Sequence, residues 1–339
     1  MKAVVIGAGH MGRYHAEKLA RLSGVDLIAV VDADASRAAA IAQKLGSAPL
    51  SDYRQIFGKA DAAVIAVPTD RHHEIARACL EHGVHILVEK PIATTLAQAD
   101  ELIALADRKK LVLQSGHVER YNRAYRALVA RMDRPVFIEA ERLAAFKQRG
   151  AEVDVVLDLM IHDLDLACAL ARAEPVEVSA CGFRVLTREI DIANARIEFA
   201  NGCVANLSAS RVSQAPVRKL RIFQPDLYVS ADLQAGKLRY VREAGGAIAE
   251  TEETYEGGDA LAEQAAAFVS AVKKGAAVQG RQAVELDGRE GRRALELALT
   301  VGRLVRERLQ RFECSSPSPR CRAPATILSC SITRARRLG

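Results

Sequence analysis

Short apolar runs recur through the first 117 residues, at 3–6, 27–31, 62–67, 85–88 and 111–114, and an amphipathic helical pattern separates each from the next. Runs of four to six residues rich in Val and Ile suit strands covered on both faces. Strand–helix alternation of this kind builds a parallel sheet wrapped by helices, so residues 1–118 are predicted to form an α/β, doubly wound Rossmann domain.

The pattern changes after about residue 120. Helical stretches at 122–132 and 155–170 flank a strand-like run at 135–142. Further strand-like segments follow at 176–187, 192–199, 203–212, 217–224 and 226–231, with a hairpin-turn signal at Asn201-Gly202. Helices at about 260–274 and 289–310 close the chain's second unit. Residues 119–311 are therefore predicted to form a C-terminal α+β domain with an open, mainly antiparallel sheet. Residues 312–339 hold three of the seven cysteines and Pro317, Pro319 and Pro324, and are expected to be a poorly ordered tail.

Of the 339 residues 50% are hydrophobic and 27% charged, enough apolar surface for folded cores. No apolar stretch is long enough to span a membrane, and the N-terminus lacks the apolar region of a secretory signal, so a cytoplasmic protein is expected. Of the formal net charge of +6, the last 28 residues carry +4, from five arginines against Glu313. With 4% aromatic residues and no Trp, the folded part has neither the basic clustering nor the stacking groups of a nucleic-acid binder. The cysteines form no CxxC pair and read as free thiols.

The first apolar run leads into Gly7-Ala8-Gly9-His10-Met11-Gly12, and a helix is predicted from near Arg13. Gly7 permits the tight turn, Gly9 lets a pyrophosphate approach the backbone, and Gly12 lets helix pack on strand, with His10 and Met11 beside the cofactor. Asp32 ends the next strand, where a carboxylate accepts the ribose hydroxyls and repels a 2′-phosphate. NAD is the expected cofactor.

Together with AVPTDRHHEIA at 66–76, VEKP at 88–91, GHVERYN at 116–122 and LDLMIHDLD at 157–165, the chain resembles the Gfo/Idh/MocA oxidoreductase family as far as about residue 311. The resemblance implies a Rossmann domain followed by an open-sheet domain, and a cofactor site lined by Pro68, Thr69, His72, Glu89 and Lys90. Thr69 stands where the family usually has Asn. It also implies a catalytic set of Lys90, Asp158 and His162, and a homodimer or homotetramer assembled through the open sheet.

The chemistry of these residues agrees with an alcohol oxidation. Lys90 lies at the carboxyl end of a buried strand, where its ammonium can polarise a reacting oxygen. Asp158 and His162 are four apart, which on an α-helix puts them on one face, so the carboxylate is expected to orient the imidazole as a proton acceptor. The sequence leaves open which of Lys90 and His162 takes the proton. A metal held by His162, Asp163 and Asp165 is the alternative; their spacing converges poorly, and no metal is expected. Arg120 and Asn122, at the domain junction, are expected to touch the substrate or the nicotinamide carboxamide, an interdomain salt bridge being the alternative.

Inositol-type members carry Gly-Gly just before the helix acid, whereas residues 154–158 read Asp-Val-Val-Leu-Asp. GHVERYN combined with VVLDLMIHDLDL resembles members that oxidise UDP-N-acetylglucosamine to its 3-keto form, a step towards amino sugars of the lipopolysaccharide lipid A type. Arg142, Lys147 and Arg149 could then meet a diphosphate, a solvated charged face being the other reading. A free-sugar or inositol dehydrogenase remains open within the family. A non-catalytic dinucleotide or sugar sensor is the alternative of another class; binding alone does not require a proton-transfer set.

Overall fold

Val4, Val5, Val30, Val64, Ile65, Ile86, Leu87 and Val88 are all buried, as strands sandwiched between helices require. They belong to β1 (Lys2–Ile6), β2 (Asp26–Val31), β4 (Ala62–Ile65) and β5 (His85–Glu89), with β3 (Ala48–Leu50) and β6 (Leu113–Gly116) at the two edges. The computed structural model describes residues 1–148, 150–274 and 286–315. Its first sheet has the order β3-β2-β1-β4-β5-β6 with every pairing parallel. Helices α1 (His10–Leu19) and α2 (Ala35–Leu45) cover one face. Helices α3 (His72–Glu81) and α4 (Leu96–Lys109) cover the other. The strand order reverses between β1 and β4, and a crevice opens at the carboxyl ends there.

The second sheet is built from β7 (Phe137–Leu143), β8 (Pro175–Phe183), β9 (Ile192–Phe199), β10 (Val204–Ser210), β11 (Val217–Gln224), β12 (Leu227–Asp232), β13 (Lys237–Ala244) and β14 (Ala247–Thr254). Its order is β14-β13-β12-β11-β7-β10-β9-β8, antiparallel except for the parallel pair β7–β10. One face packs on α5 (Arg123–Val129), α6 (Ile161–Ala171) and α8 (Gly288–Ser315), joining Leu207 and Ile222 to Leu128, Leu164 and Val301. No helix among the described residues covers the opposite face, which carries Arg221 bonded to Glu139 at 2.8 Å beside an aromatic row of Phe137, Phe223 and Tyr228.

Two boundaries differ from expectation. Helix α7 (Ala260–Lys274) belongs to the second unit in sequence, yet Ala265, Phe268 and Val269 sit in the first sheet's core with Leu19 and Val30. The end of the chain thus returns to the Rossmann domain and fixes the two units together. The expected tail also starts too early: α8 runs to Ser315, Phe312 meets Phe183 edge-on at 6.0 Å, and Arg184 bonds Glu313 at 2.8 Å. The remainder of that tail lies outside the described residues. So does Arg149.

Candidate active site

Helices α2 and α4 open on side-chain caps: Asp34 accepts from the Ser36 amide at 3.0 Å, and Thr95 from Gln98 at 3.3 Å. Helix α1 starts at Gly9 with no such cap, so its first amides remain available to an anion. The glycines explain how the backbone comes so close. Gly7 has φ +99°, and a Cβ there would lie 2.4 Å from the Ala66 carbonyl oxygen. A Cβ on Gly12 would lie 1.7 Å from the Gly7 carbonyl oxygen, whereas one on Gly9 would meet nothing within 4 Å. Gly12 therefore serves packing, and Gly9 leaves the open approach.

This turn faces a cleft of about 1310 Å³ between the two domains. Gly7, Gly9, His10 and Met11 line it, with Asp32 at the end of β2. Pro68 and Thr69 line it from the loop after β4, Glu89 and Lys90 from the end of β5, and Glu152 and Val153 from the second domain. Asp32 also braces the turn, accepting from the Ala8 amide at 2.7 Å and the Asp34 amide at 2.8 Å while facing Arg37 at 3.1 Å. An uncapped helix start, an open glycine and a carboxylate at the second strand's end match the needs of a dinucleotide.

His72 lines the cleft but does not offer it a nitrogen. Its Nδ1 lies 2.8 Å from the Pro91 carbonyl and its Nε2 2.9 Å from the Val67 carbonyl, so the ring ties two walls of the site together. Burial pushes its pKa down, and a neutral imidazole donates to one of these carbonyls at a time. Glu89 is likewise internal: His15 on α1 donates to it at 2.6 Å. Burial acts upward on the Glu89 carboxyl, but the His15 hydrogen bond and nearby charges outweigh it, and it stays below its ordinary range. His15 carries no motif of its own, and the sequence reading missed it.

The reacting groups gather at the domain junction. Lys90, whose side chain is 17% exposed, donates through Nζ to the Asp158 carbonyl oxygen at 2.6 Å and approaches Asp158 Oδ1 at 3.4 Å. His162, on the first turn of α6, is half-buried, and its Nδ1 is enclosed without a hydrogen-bond partner among the described residues. Burial, then Lys90 and Arg142, pushes His162 well below the ordinary imidazole pKa. The shift favours the uncharged imidazole, the form in which one ring nitrogen is an acceptor. His117 stands edge-on to it, ring centroids 6.4 Å apart; neither of its nitrogens has a hydrogen-bond partner among the described residues, and Nδ1 lies 3.9 Å from Asp165 Oδ2.

The expected Asp158–His162 contact does not form. Residues Val156–Met160 make a π-helical turn, in which hydrogen bonds span five residues and the four-residue stacking of an α-helix is lost. Asp154 fixes that turn, its Oδ1 accepting from the Val156 and Leu157 amides at 3.1 and 2.9 Å and its Oδ2 pairing with Arg306 of α8. Asp158 is consequently aimed at Lys90.

Arg120 takes the salt bridge that was its alternative reading, and Asn122 is bound to backbone groups. Arg120 binds Asp165 with two nitrogens at 2.6 and 2.7 Å, and Asn122 caps α5 at the Tyr125 amide while donating to the Leu233 carbonyl at 2.9 Å. Arg142 holds Asp163 with two bonds of 2.9 Å and Glu119 with a third of 2.9 Å, in a fully internal cluster that cannot meet a diphosphate. Burial pushes Asp163 upward against the pull of Arg142. Burial acts upward on Asp165 as well, but Arg120 and His117 outweigh it and lower its pKa. Among the described residues no group of three or more His, Cys, Asp or Glu side chains could hold a metal ion, and no helix is long and apolar enough to cross a membrane.

A parallel sheet of this order with an uncapped glycine turn and a lysine at the end of β5, facing a second domain that supplies a histidine, defines a two-domain dinucleotide-dependent oxidoreductase. The chain belongs to the Gfo/Idh/MocA oxidoreductase family: the model for its NAD-binding Rossmann fold matches residues 1–117, and that for the GFO/IDH/MocA C-terminal domain matches 125–224. It is 41% identical over 318 residues to the UDP-N-acetylglucosamine 3-dehydrogenase of Acidithiobacillus ferrooxidans, covering 92% of this chain and 99% of that one. A solved structure of that enzyme superposes with a TM-score of 0.86 at 39% identity, over 92% of this chain and 99% of the other. The scyllo-inositol 2-dehydrogenase (NAD(+)) of Bacillus subtilis is 29% identical over 236 residues, 63% of this chain and 68% of the relative. The scyllo-inositol dehydrogenase of Lactobacillus casei, solved with NAD(H), shares the fold at a TM-score of 0.76, 18% identity and coverage of 91% and 97%.

Proposed function

We propose that this protein oxidises a secondary hydroxyl of a nucleotide-linked sugar with NAD, with UDP-N-acetylglucosamine, attacked at C-3, as the substrate. The observation that carries the reaction is His162, its enclosed Nδ1 without a hydrogen-bond partner among the described residues, at the start of the helix that follows the turn holding the Lys90 ammonium at the Asp158 carbonyl. The near full-length likeness to a UDP-N-acetylglucosamine 3-dehydrogenase supports the substrate. Bound NAD supplies the hydride acceptor. Gly9 and the start of α1 hold its pyrophosphate, and Asp32 its adenosine ribose. His162 takes the hydroxyl proton, while Lys90, fixed by the Asp158 carbonyl, stabilises the negative charge that develops on the oxygen. Asp158 positions Lys90. The face of the second sheet that no described helix covers supports a homodimer or homotetramer.

The test is NADH formation from NAD⁺ with UDP-N-acetylglucosamine, N-acetylglucosamine or myo-inositol, with a carbonyl trap and mass spectrometry for loss of two hydrogens. Turnover of the UDP-sugar alone is expected, with Lys90→Met lowering kcat by about 10²–10³. Turnover of a free polyol would overturn the substrate, and an active Lys90→Met would overturn the role of the ammonium.

A further inference from the structure

One cation on the second-domain side is scarcely committed to the fold. Arg218, on β11, lies directly opposite Arg142 on β7. Opposed residues of an antiparallel pair project to the same face, here the one on which α6 packs with His162. The two arginines differ sharply in their surroundings. Arg142 is 4% exposed and uses three nitrogens on Asp163 and Glu119. The Arg218 side chain is 49% exposed and makes a single bond, Nη1 to Glu119 Oε1 at 3.2 Å, to an oxygen that already accepts from Arg142 at 2.9 Å. Among the described residues its Nε and Nη2 have no protein partner.

We propose that Arg218 is a specificity-determining residue that binds the diphosphate of the nucleotide-linked substrate, releasing Glu119 to Arg142 as it does so. This rests on the substrate class proposed above and names the group that recognises it. A sugar whose C-3 hydroxyl faces His162 carries its anionic substituent two ring atoms away, at C-1. Arg218 shares Glu119 with Arg142, and Arg142 holds Asp163, the residue next to His162, so the Arg218 charge stands on the side of the second sheet where α6 carries the reacting histidine. A guanidinium with free N–H groups takes a phosphate in bidentate fashion, whereas a half-exposed single contact to a carboxylate is easily exchanged. Glu119 is not stranded by the exchange, because Arg142 keeps it.

Calorimetric titration of the NADH-loaded full-length chain with UDP tests this, with the native protein, Arg218→Met and Arg218→Lys compared and NADH affinity as the control for folding. UDP should bind the native chain, bind Arg218→Met about tenfold or more weakly, and bind Arg218→Lys at an intermediate level, since lysine keeps the charge but loses the fork. The KM for UDP-N-acetylglucosamine should rise in the same order. Equal UDP affinity across the series, or no UDP binding to the native chain, overturns the proposal. If the native chain oxidises the UDP-sugar and Arg218→Lys and Arg218→Met keep its KM, Arg218 fails while the proposed reaction stands. If no UDP-sugar is oxidised yet UDP binds through Arg218, the reaction fails and the anion site stands.

Discussion

On the Rossmann side of the cleft the groups that face a dinucleotide are largely backbone: the start of α1 without a side-chain cap, the open approach at Gly9, and one carboxylate, Asp32, which also bonds the Ala8 amide at 2.7 Å. On the other side the facing groups are side chains. Most of the charged ones are internal, Arg142 with Asp163 and Glu119, and Arg120 with Asp165. A backbone site tolerates exchange of many side chains around it, because its donors are fixed by the turn. A side-chain site depends on a buried ionic frame that sets the angle of α6 and with it the position of His162.

That contrast gives its largest expected effect at Arg142. Arg142→Met keeps an apolar stem but leaves Asp163 without its guanidinium, and Glu119 with only the half-exposed Arg218. Removing one partner of a buried pair costs about 3–5 kcal/mol, so urea unfolding should show a loss of that order. A loss below about 1 kcal/mol, the worth of a surface pair, would mean that the frame is not what holds the second domain together.

Asp32→Asn probes the other half and should have a smaller effect. Asparagine retains an acceptor for the Ala8 amide, so the turn survives, while the charge that opposes a 2′-phosphate is lost beside Arg37. The preference for NAD over NADP should fall about tenfold, equivalent to about 1.4 kcal/mol, with unfolding free energy changed by less than that. An unchanged cofactor ratio would show that Asp32 acts only as a brace for the turn.

The same contrast decides what could be read from the sequence. The strands of the first sheet announce themselves because both faces are buried, leaving continuous apolar runs; only β3, three residues at an edge and containing Pro49, gives no such signal. Strands β13 and β14 also went unrecognised, since they pair through charges such as Arg239 with Glu250 and Lys237 with Glu252 rather than through apolar alternation. The glycine turn was legible because its function lies in contiguous backbone. The placing of Arg120 and Asn122 was not, because whether Arg120 meets Asp165 or a ligand depends on how α6 packs, across 45 residues of chain. Nor does any local pattern distinguish the π turn at Val156–Met160 from an α-helix, so the four-residue spacing of Asp158 and His162 suggested a contact that the backbone does not make. His15, His117 and Arg218 lie outside any spacing rule and became visible only through their neighbours.

The smallest effect, and the sharpest separation of the two halves, concerns acid. Burial, chiefly, lowers the pKa of His117, with Asp165 and Glu89 opposing the shift and Arg120 and Lys90 adding to it. His72 and His162 are lowered by burial in the same way. Below the ordinary imidazole pKa of about 6.5 the unfolded chain binds protons that these folded rings refuse. Their contribution therefore makes the protein less stable as pH falls from about 6.5 towards the folded pKa values, and is absent above that range. Glu290, raised to about 7 by burial first and Asp287 next, works in the opposite sense, since the folded chain takes its proton first. In His117→Gln one refusing ring is gone, so the loss of unfolding free energy between pH 6.5 and 5.5 should shrink by up to about 1.4 kcal/mol, the limit for one proton over one pH unit. Identical pH slopes for the variant and the native chain would mean that His117 takes its proton as readily folded as unfolded, and that the space between it and His162 is open to water rather than sealed.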